Sequence, residues 1–210
     1  ERLLSAQSGV NLTRIRDGRL SETDIRKLID STEIISTSPL YIDDTSELDI
    51  IELRTRVAHI SQAVNPDLII IDSLQLIAQP ERQRRAIQIP KELKSMATEI
   101  NKPVLVTSQL TRSVDLRSNH IPQLSDINGG RSVEDAADLV MLMYRDDFYD
   151  FDTGRKGVVD IYVRKHRNGP TGMISLLFLD RNCKFTNLEW RNPEGQHYEP
   201  GYENFFAHEL

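Results

Sequence analysis

The 210-residue chain contains one cysteine, Cys183, and that scarcity excludes an internal disulfide or a thiolate metal cluster. Cys183 opens the strand-like stretch CKFTNLEW, where a packing role is expected, and a reducing, cytoplasmic setting fits. No apolar run approaches the ~20 residues that a membrane-spanning helix needs, so no membrane partner is expected. The chain opens ERLLSAQSGVNL, without an initiator methionine and without a charged-then-apolar leader, which suggests numbering that starts inside a longer protein. Its five histidines are scattered without metal-ligand spacing and suggest no metal site. The net charge of −6 excludes a protein that is basic throughout. Charge is nonetheless segregated: ERQRRA at 81–86 carries Arg82, Arg84 and Arg85, whereas the tail from Arg191 has four Glu and one Arg.

What is present reads as one α/β domain with a sizeable core, at 39% hydrophobic and 28% charged residues. SETDIRKLIDST at 21–32 has a capping-box start, Ser21 with Asp24, and predicts a short helix. PLYIDD at 39–44 reads as a strand. From 47 to 64, Leu48, Ile51, Val57, Ile60 and Val64 recur at helical spacing, and NPD stops the pattern before an apolar strand at 68–72. KELKSMATEIN predicts a helix starting near Pro90, followed by the buried strand of KPVLVTSQL. Alternation of this kind implies a parallel sheet flanked by helices. The stretch 111–131 is long, polar and glycine-bearing, and reads mostly as loop. SVEDAADLVMLMYR then gives a short helix and a strand. Three further strands, separated by RNGPTG and DRN turns, predict an antiparallel region toward the C-terminus.

Two strand ends and one turn carry the candidate chemistry. Asp72, in LIIIDSLQLI, stands at the carboxyl end of a buried strand, where open α/β sheets bind ligands and where a carboxylate can hold Mg²⁺ and its water shell. It can equally cap the following turn. Gln109, in VTSQL, stands at the corresponding end of the next strand, where its amide can sense a γ-phosphate or orient water, or simply begin a loop. Lys165 and Arg167, two apart in VRKHRNGPTG, project to the same side, with the Gly-Pro turn holding them out. They read either as cations aimed at a phosphate on another subunit or as a solvated basic edge. A glycine-rich phosphate loop, GxxxxGK[ST], is absent from the chain; TGRKGV at 153–158 has neither the spacing nor the terminal hydroxyl.

The stretches LIIIDSLQLI, LKSMATEINKPVLVTSQLTRSV, LSDINGGRSVEDAADLV and KHRNGPTGMISLLF, in this order, resemble the C-terminal motor domain of the DnaB-type replicative DNA helicases, within the RecA-like ATPases. The resemblance covers about residues 2–189, and KHRNGPTG is its most specific piece. It implies a RecA-like, mostly parallel sheet with antiparallel strands toward the C-terminus, in a partial motor domain over 1–190 followed by an acidic, aromatic-containing tail over 191–210. The resemblance further implies ATP and Mg²⁺ as cofactors, with Asp72 at the Mg²⁺ through water and Gln109 linking nucleotide state to DNA loops. Lys165 and Arg167 would be a trans-acting sensor and an arginine finger that reach the ATP of an adjoining subunit in a hexameric ring. Asn128, Gly129, Gly130 and Arg131 would form a loop on single-stranded DNA, and Arg82, Arg84 and Arg85 a second pore-facing loop. Two departures stand out: Ser73 replaces the family's common tyrosine, and Asn128–Arg131 replace an Arg-Glu-Ser-Gly-like loop.

On this resemblance the phosphate loop lies upstream of Glu1. The implied activity is ATP-driven unwinding of duplex DNA by translocation on one strand, with primase and a helicase loader as further partners. The rival expectation is a non-enzymatic, truncated or split RecA-like module that assembles with, or regulates, a complete helicase. A phosphate loop encoded shortly before Glu1 favours the enzyme; a natural start at Glu1 favours the rival.

Overall fold

The computed structural model describes residues 1–46, 48–77, 89–188, 190–191 and 197–198. They group into two compact units with interleaved segments, one of residues 1–43, 143–162 and 173–210, the other of 44–142 and 163–172.

The first unit begins with α1 (Arg2–Ser8), α2 (Leu12–Asp17) and α3 (Glu22–Thr37). Ser5 is fully buried and donates its hydroxyl to the Val10 carbonyl at 2.6 Å, so the turn after α1 costs no unpaired polar group. The expected capping box at α3 is present. Ser21 accepts from the Asp24 N–H, and the Asp24 carboxylate accepts from the Ser21 N–H. That start carries the helix further than expected, to Thr37. PLYIDD is not a strand. Leu40, Tyr41 and Ile42 are all exposed, and a β-prone segment without a neighbouring strand gains nothing from its propensity.

In the second unit α4 (Ile50–Val64) is capped by Asp49, whose carboxylate accepts from the Ile51 and Glu52 N–H groups, each at 2.8 Å. The helix ends at Asn65 in the left-handed region, φ 47°. Its inward face includes Val57, as the periodicity predicts, with Ile50 and Leu53 beside it; Ile60 and Val64 are half-buried, and of the periodic set Ile51 alone faces solvent, at 72% exposure. β1 (Ile69–Ile71) and β2 (Val104–Val106) pair in parallel, with Ile71 opposite Val106, and α5 (Ile89–Ile100), with Pro90 in its first turn, lies between them in sequence. This is the expected βαβ logic, with strands shorter than the apolar runs suggested. Val57, Ile71, Leu74, Leu93 and Met96 form the core between sheet and helices.

After α6 (Arg131–Ala136) come β3 (Leu139–Arg145), β4 (Val158–His166), β5 (Gly172–Leu179) and β6 (Lys184–Asn187), in sheet order β3-β4-β5-β6. β5 and β6 are antiparallel, as expected, with Phe178 opposite Phe185. β7 (Trp190–Arg191) and β8 (His197–Tyr198) form a short antiparallel pair at the expected tail; the rest of 191–210 lies outside the described residues. Cys183 is not in a strand but in the left-handed turn before β6, φ 51°. Asp160 is 2% exposed, yet satisfied: Arg155 holds both carboxylate oxygens at 2.8 Å and Ser175 donates at 2.6 Å.

The strands of the second unit are apolar on both faces. Ile71, Val140 and Leu142 are buried, whereas Ile70 is 61% exposed and Leu105, Leu139 and Met141 are about half exposed. Strands apolar on both faces belong to sheets covered on both sides. Between β2 and the start of β3 a groove of about 810 Å³ opens, lined by Val104, Val106, Leu139 and Met141 and floored by Leu93 and Ala97 of α5. β2 and β3 are not paired with each other across it.

Met96 is the largest of the fully buried side chains and sits at the centre of this core. Replacing it with alanine should cost about 2–5 kcal/mol, read as a lowered urea midpoint with an unchanged slope.

Candidate functional site

Register determines what meets at the rim of the β1–β2 sheet. Because Ile71 lies opposite Val106, the next residues on each strand, Asp72 and Thr107, come together. The Thr107 hydroxyl donates to Asp72 Oδ1 at 2.6 Å, the Thr107 N–H donates to the Ile71 carbonyl at 3.0 Å, and the Leu74 N–H donates to the Thr107 carbonyl at 2.9 Å. Asp72 is exposed, with its second carboxylate oxygen outside this contact. Its oxygens are hard donors at an open rim, and they suit a hard divalent cation reached directly or through water.

A second layer of contacts joins this rim to the long loop. Gln75 carries no signal of its own in the sequence, although it stands three residues after Asp72 in the same apolar stretch. Its amide nitrogen donates to Ser108 Oγ at 2.9 Å, and its amide oxygen accepts from the Gln109 N–H at 3.2 Å. The Gln109 carbonyl accepts from the Asn128 N–H at 2.9 Å, and Leu110 and Ile127 form an antiparallel bridge. Gln109 lies three residues beyond β2 rather than at its end, where Thr107 stands; it is fixed through its backbone, and it is exposed. The structure thus brings Asp72, Gln109 and Asn128 onto one hydrogen-bonded frame.

The loop itself is ordered by a buried carboxylate. Asp126 is 2% exposed and accepts from the Gln123 N–H at 2.7 Å, from the Ser113 hydroxyl at 2.9 Å and from the Arg117 guanidinium. Burial opposes its ionisation, but the Arg117 guanidinium, the Gln123 N–H and the Ser113 hydroxyl together hold its carboxyl below the ordinary range. Residues 111–130 are accordingly a loop that contains two short 3₁₀ turns, Arg112–Leu116 and Leu124–Asp126, and Arg131 already belongs to α6. Gly129 and Gly130 both have positive φ, 110° and 56°, and a Cβ on Gly129 would come within 2.8 Å of Val133 Cγ2. Only glycine permits this turn into α6. Arg131 follows, its side chain 90% exposed and its nearest carboxylate Asp135 at 3.7 Å.

At the other end of α6 stand the remaining two candidates. Lys165 donates to the Glu134 carbonyl. Arg167 donates Nη1 to Asp138 Oδ1 at 2.8 Å, Nη2 to the Asp135 carbonyl at 2.7 Å, and its N–H to the Asp138 carbonyl at 2.9 Å. Both cations meet the same element, Lys165 from the end of β4 and Arg167 from just beyond it, but they are fastened to the C-terminal carbonyls of α6 rather than held out by the Gly-Pro turn. Lys94 of α5 donates to the other oxygen of Asp138. Lys94 first, then Arg167, keep the Asp138 carboxyl below its usual range. Neither Lys94 nor Asp138 was legible as a site residue, because nothing in KELKSM or DAADLV marks a pair 44 residues apart. Arg82, Arg84 and Arg85 lie outside the described residues.

The family profile described as DnaB-like helicase C terminal domain matches residues 1–187. The replicative DNA helicase DnaC of Bacillus subtilis is 40% identical over 195 residues, which is 90% of this chain and 43% of that protein. The replicative DNA helicase DnaB of Geobacillus stearothermophilus is 37% identical, over 93% of this chain and 44% of its own length. The chain thus spans less than half the length of these relatives. Among solved structures, one described as an ATPase domain superposes with a TM-score of 0.83 at 33% identity, covering 90% of this chain and 69% of that one. A DnaB-like replicative helicase solved for its interactions with primase gives 0.84 at 32% identity, covering 90% of this chain and 47% of that one. The fold is RecA-like.

Asp126→Asn should destabilise the protein by about 2–4 kcal/mol at pH 7, since it breaks a buried charge pair. Because the folded-state carboxyl is held low, its contribution is fully present above the ordinary value of 3.8 and lost as pH falls through the lower folded value. Urea melts at pH 7 and pH 3 should therefore show the gap between parent and variant narrowing at the acid end.

Proposed function

The chain belongs to the family of DnaB-like helicase C-terminal domains, and from that premise we propose that it is the motor of an ATP-driven replicative helicase that translocates on single-stranded DNA as a ring. One observation carries the reading: a single hydrogen-bonded frame joins the rim at Asp72 and Gln109 to the loop at Asn128–Arg131, and α6 joins that loop to Lys165 and Arg167. A motor needs those three places linked, because the free energy of a reaction at one must move a strand at another.

In this reading Asp72 holds Mg²⁺, through water, with Thr107 fixing one carboxylate oxygen. The metal, when bound, screens the phosphate charges that repel an incoming nucleophile. Gln109 offers its exposed amide toward the γ-phosphate or its water, with its backbone immobilised by Gln75 and Asn128. Lys165 and Arg167 act in trans, on ATP bound to an adjoining subunit of the hexamer. Gly129 and Gly130 let backbone N–H groups approach the DNA phosphates and Arg131 supplies charge; Arg82, Arg84 and Arg85 are assigned to a second strand-facing loop. The groove between β2 and β3, with its exposed apolar edges, is suited to an extended strand that delivers the phosphate loop. Primase and a helicase loader are the expected partners, and the cytoplasm the expected setting; among the described residues no helix is long and apolar enough to cross a membrane.

The trans assignment is tested in the full-length protein. Arg167→Ala should spare ATP binding yet lower DNA-stimulated turnover by roughly 10³ to 10⁵. Asp72→Asn should also abolish turnover, through its own subunit's metal site. Rings mixed from the two variants should regain activity, because an Asp72→Asn subunit lends an intact Arg167 to its neighbour. Turnover by Arg167→Ala at the parental rate would remove it from the site.

DNA contact has a separate test. Arg131→Ala should weaken single-stranded DNA binding and reduce the salt dependence by up to about one counterion; an unchanged slope would assign Arg131 to structure.

A further inference from the structure

An arginine that must meet a phosphate on another molecule gains most when its guanidinium is already oriented, since each free rotamer surrendered on contact weakens the interaction. Arg167 is so oriented. Its guanidinium spends one donor of Nη1 on Asp138 and one donor of Nη2 on the Asp135 carbonyl, its own N–H is tied to the Asp138 carbonyl, and the side chain is still 45% exposed. Arginine has five N–H donors, so three are left for an incoming anion.

The same anchor raises an electrostatic difficulty. A carboxylate beside the guanidinium cancels much of the positive charge that the phosphate should feel. Lys94 resolves it, because its ammonium is on Asp138 Oδ2 while Arg167 is on Oδ1. The triad of Lys94, Asp138 and Arg167 carries a net charge of +1, so the carboxylate orients the guanidinium without neutralising the site.

The anchor's position matters as much as its chemistry. Asp138 stands two residues beyond α6, whose N-terminal residue is Arg131 and whose last carbonyls receive Lys165 and Arg167. Over the six residues of α6 the two ends are about 9 Å apart.

We infer that Asp138 is the positioning residue for Arg167, and that Lys94 neutralises Asp138 so that Arg167 keeps its charge for a phosphate. The inference rests on the trans role of Arg167 proposed above, and deepens it.

The test uses the full-length protein with single-stranded DNA, and reads kcat and KM for ATP together with the folded fraction by urea denaturation. Asp138→Ala should lower kcat about 30- to 100-fold and leave KM within about twofold, because the finger is misplaced while nucleotide binding is intact. Asp138→Asn keeps an acceptor for Nη1 and should lose only about 3- to 10-fold, and it carries the test should the alanine variant fail to fold. Added to Arg167→Ala, either Asp138 change should cost less than about a further twofold, since both act through one group. Lys94→Met should lower kcat, and Asp138→Asn in the same protein should restore it to the level of Asp138→Asn alone. Should Arg167→Ala itself run at the parental rate, the underlying reading fails, whatever Asp138 does. With Arg167→Ala crippled, a parental rate in a folded Asp138→Ala protein, or an Asp138 loss that multiplies onto Arg167→Ala, overturns the positioning role. Failure of Asp138→Asn to rescue Lys94→Met overturns the part given to Lys94.

Discussion

The parallel pairing of β1 with β2 is the constraint on which the rest depends. It spans only three residues of each strand, yet it decides what lies at their ends, because a parallel register carries each chain off the sheet at a matched height. Ile71 opposite Val106 puts Thr107 against Asp72, and the loop that follows each strand then begins within hydrogen-bonding reach of the other. One step of slip would turn Ile71 to the open face and Ile70 into the core, and would separate Thr107 from Asp72.

From that rim outward polar contacts add to the buried apolar side chains of Leu74, Val114 and Ile127. Gln75, Ser108 and the Gln109 and Asn128 backbones make a frame that the apolar core does not supply, and Asp126 organises the loop behind it. Such networks are specific because each unsatisfied member is costly. They also leave polar groups exposed: Asp72 is held through one oxygen and Gln109 through its backbone. The Lys94–Asp138–Arg167 cluster follows the same rule, with an anchored guanidinium that retains spare donors.

Sequence and structure agree where local rules suffice. The Ser21 and Asp24 capping box, the helix stop at Asn65 and Pro90 in the first turn of α5 are decided within a few residues, and each was legible for that reason. The expected βαβ order and the antiparallel β5–β6 region follow from apolar runs and turn residues. The strand read at PLYIDD failed because a strand needs a neighbour, and composition cannot supply one. Periodicity turns Ile51 inward because it gives a stripe without its phase; Asp49 capping and the contacts of Ile50, Leu53 and Val57 set the phase instead.

By itself, then, the sequence determined the alternation of helices and strands, the presence of Asp72 at a strand end, the side shared by Lys165 and Arg167, and a resemblance specific enough to name the family. These are properties of neighbours along the chain or of motifs that survive as strings. Tertiary structure alone decided that Thr107 fixes Asp72, that Gln75 and Asn128 hold Gln109 from both sides, and that Arg167 is fastened to Asp138 with Lys94 behind it. The physical reason is separation: these contacts join residues 19 to 44 positions apart, brought together by sheet register and helix packing, and no spacing rule along the sequence encodes that meeting.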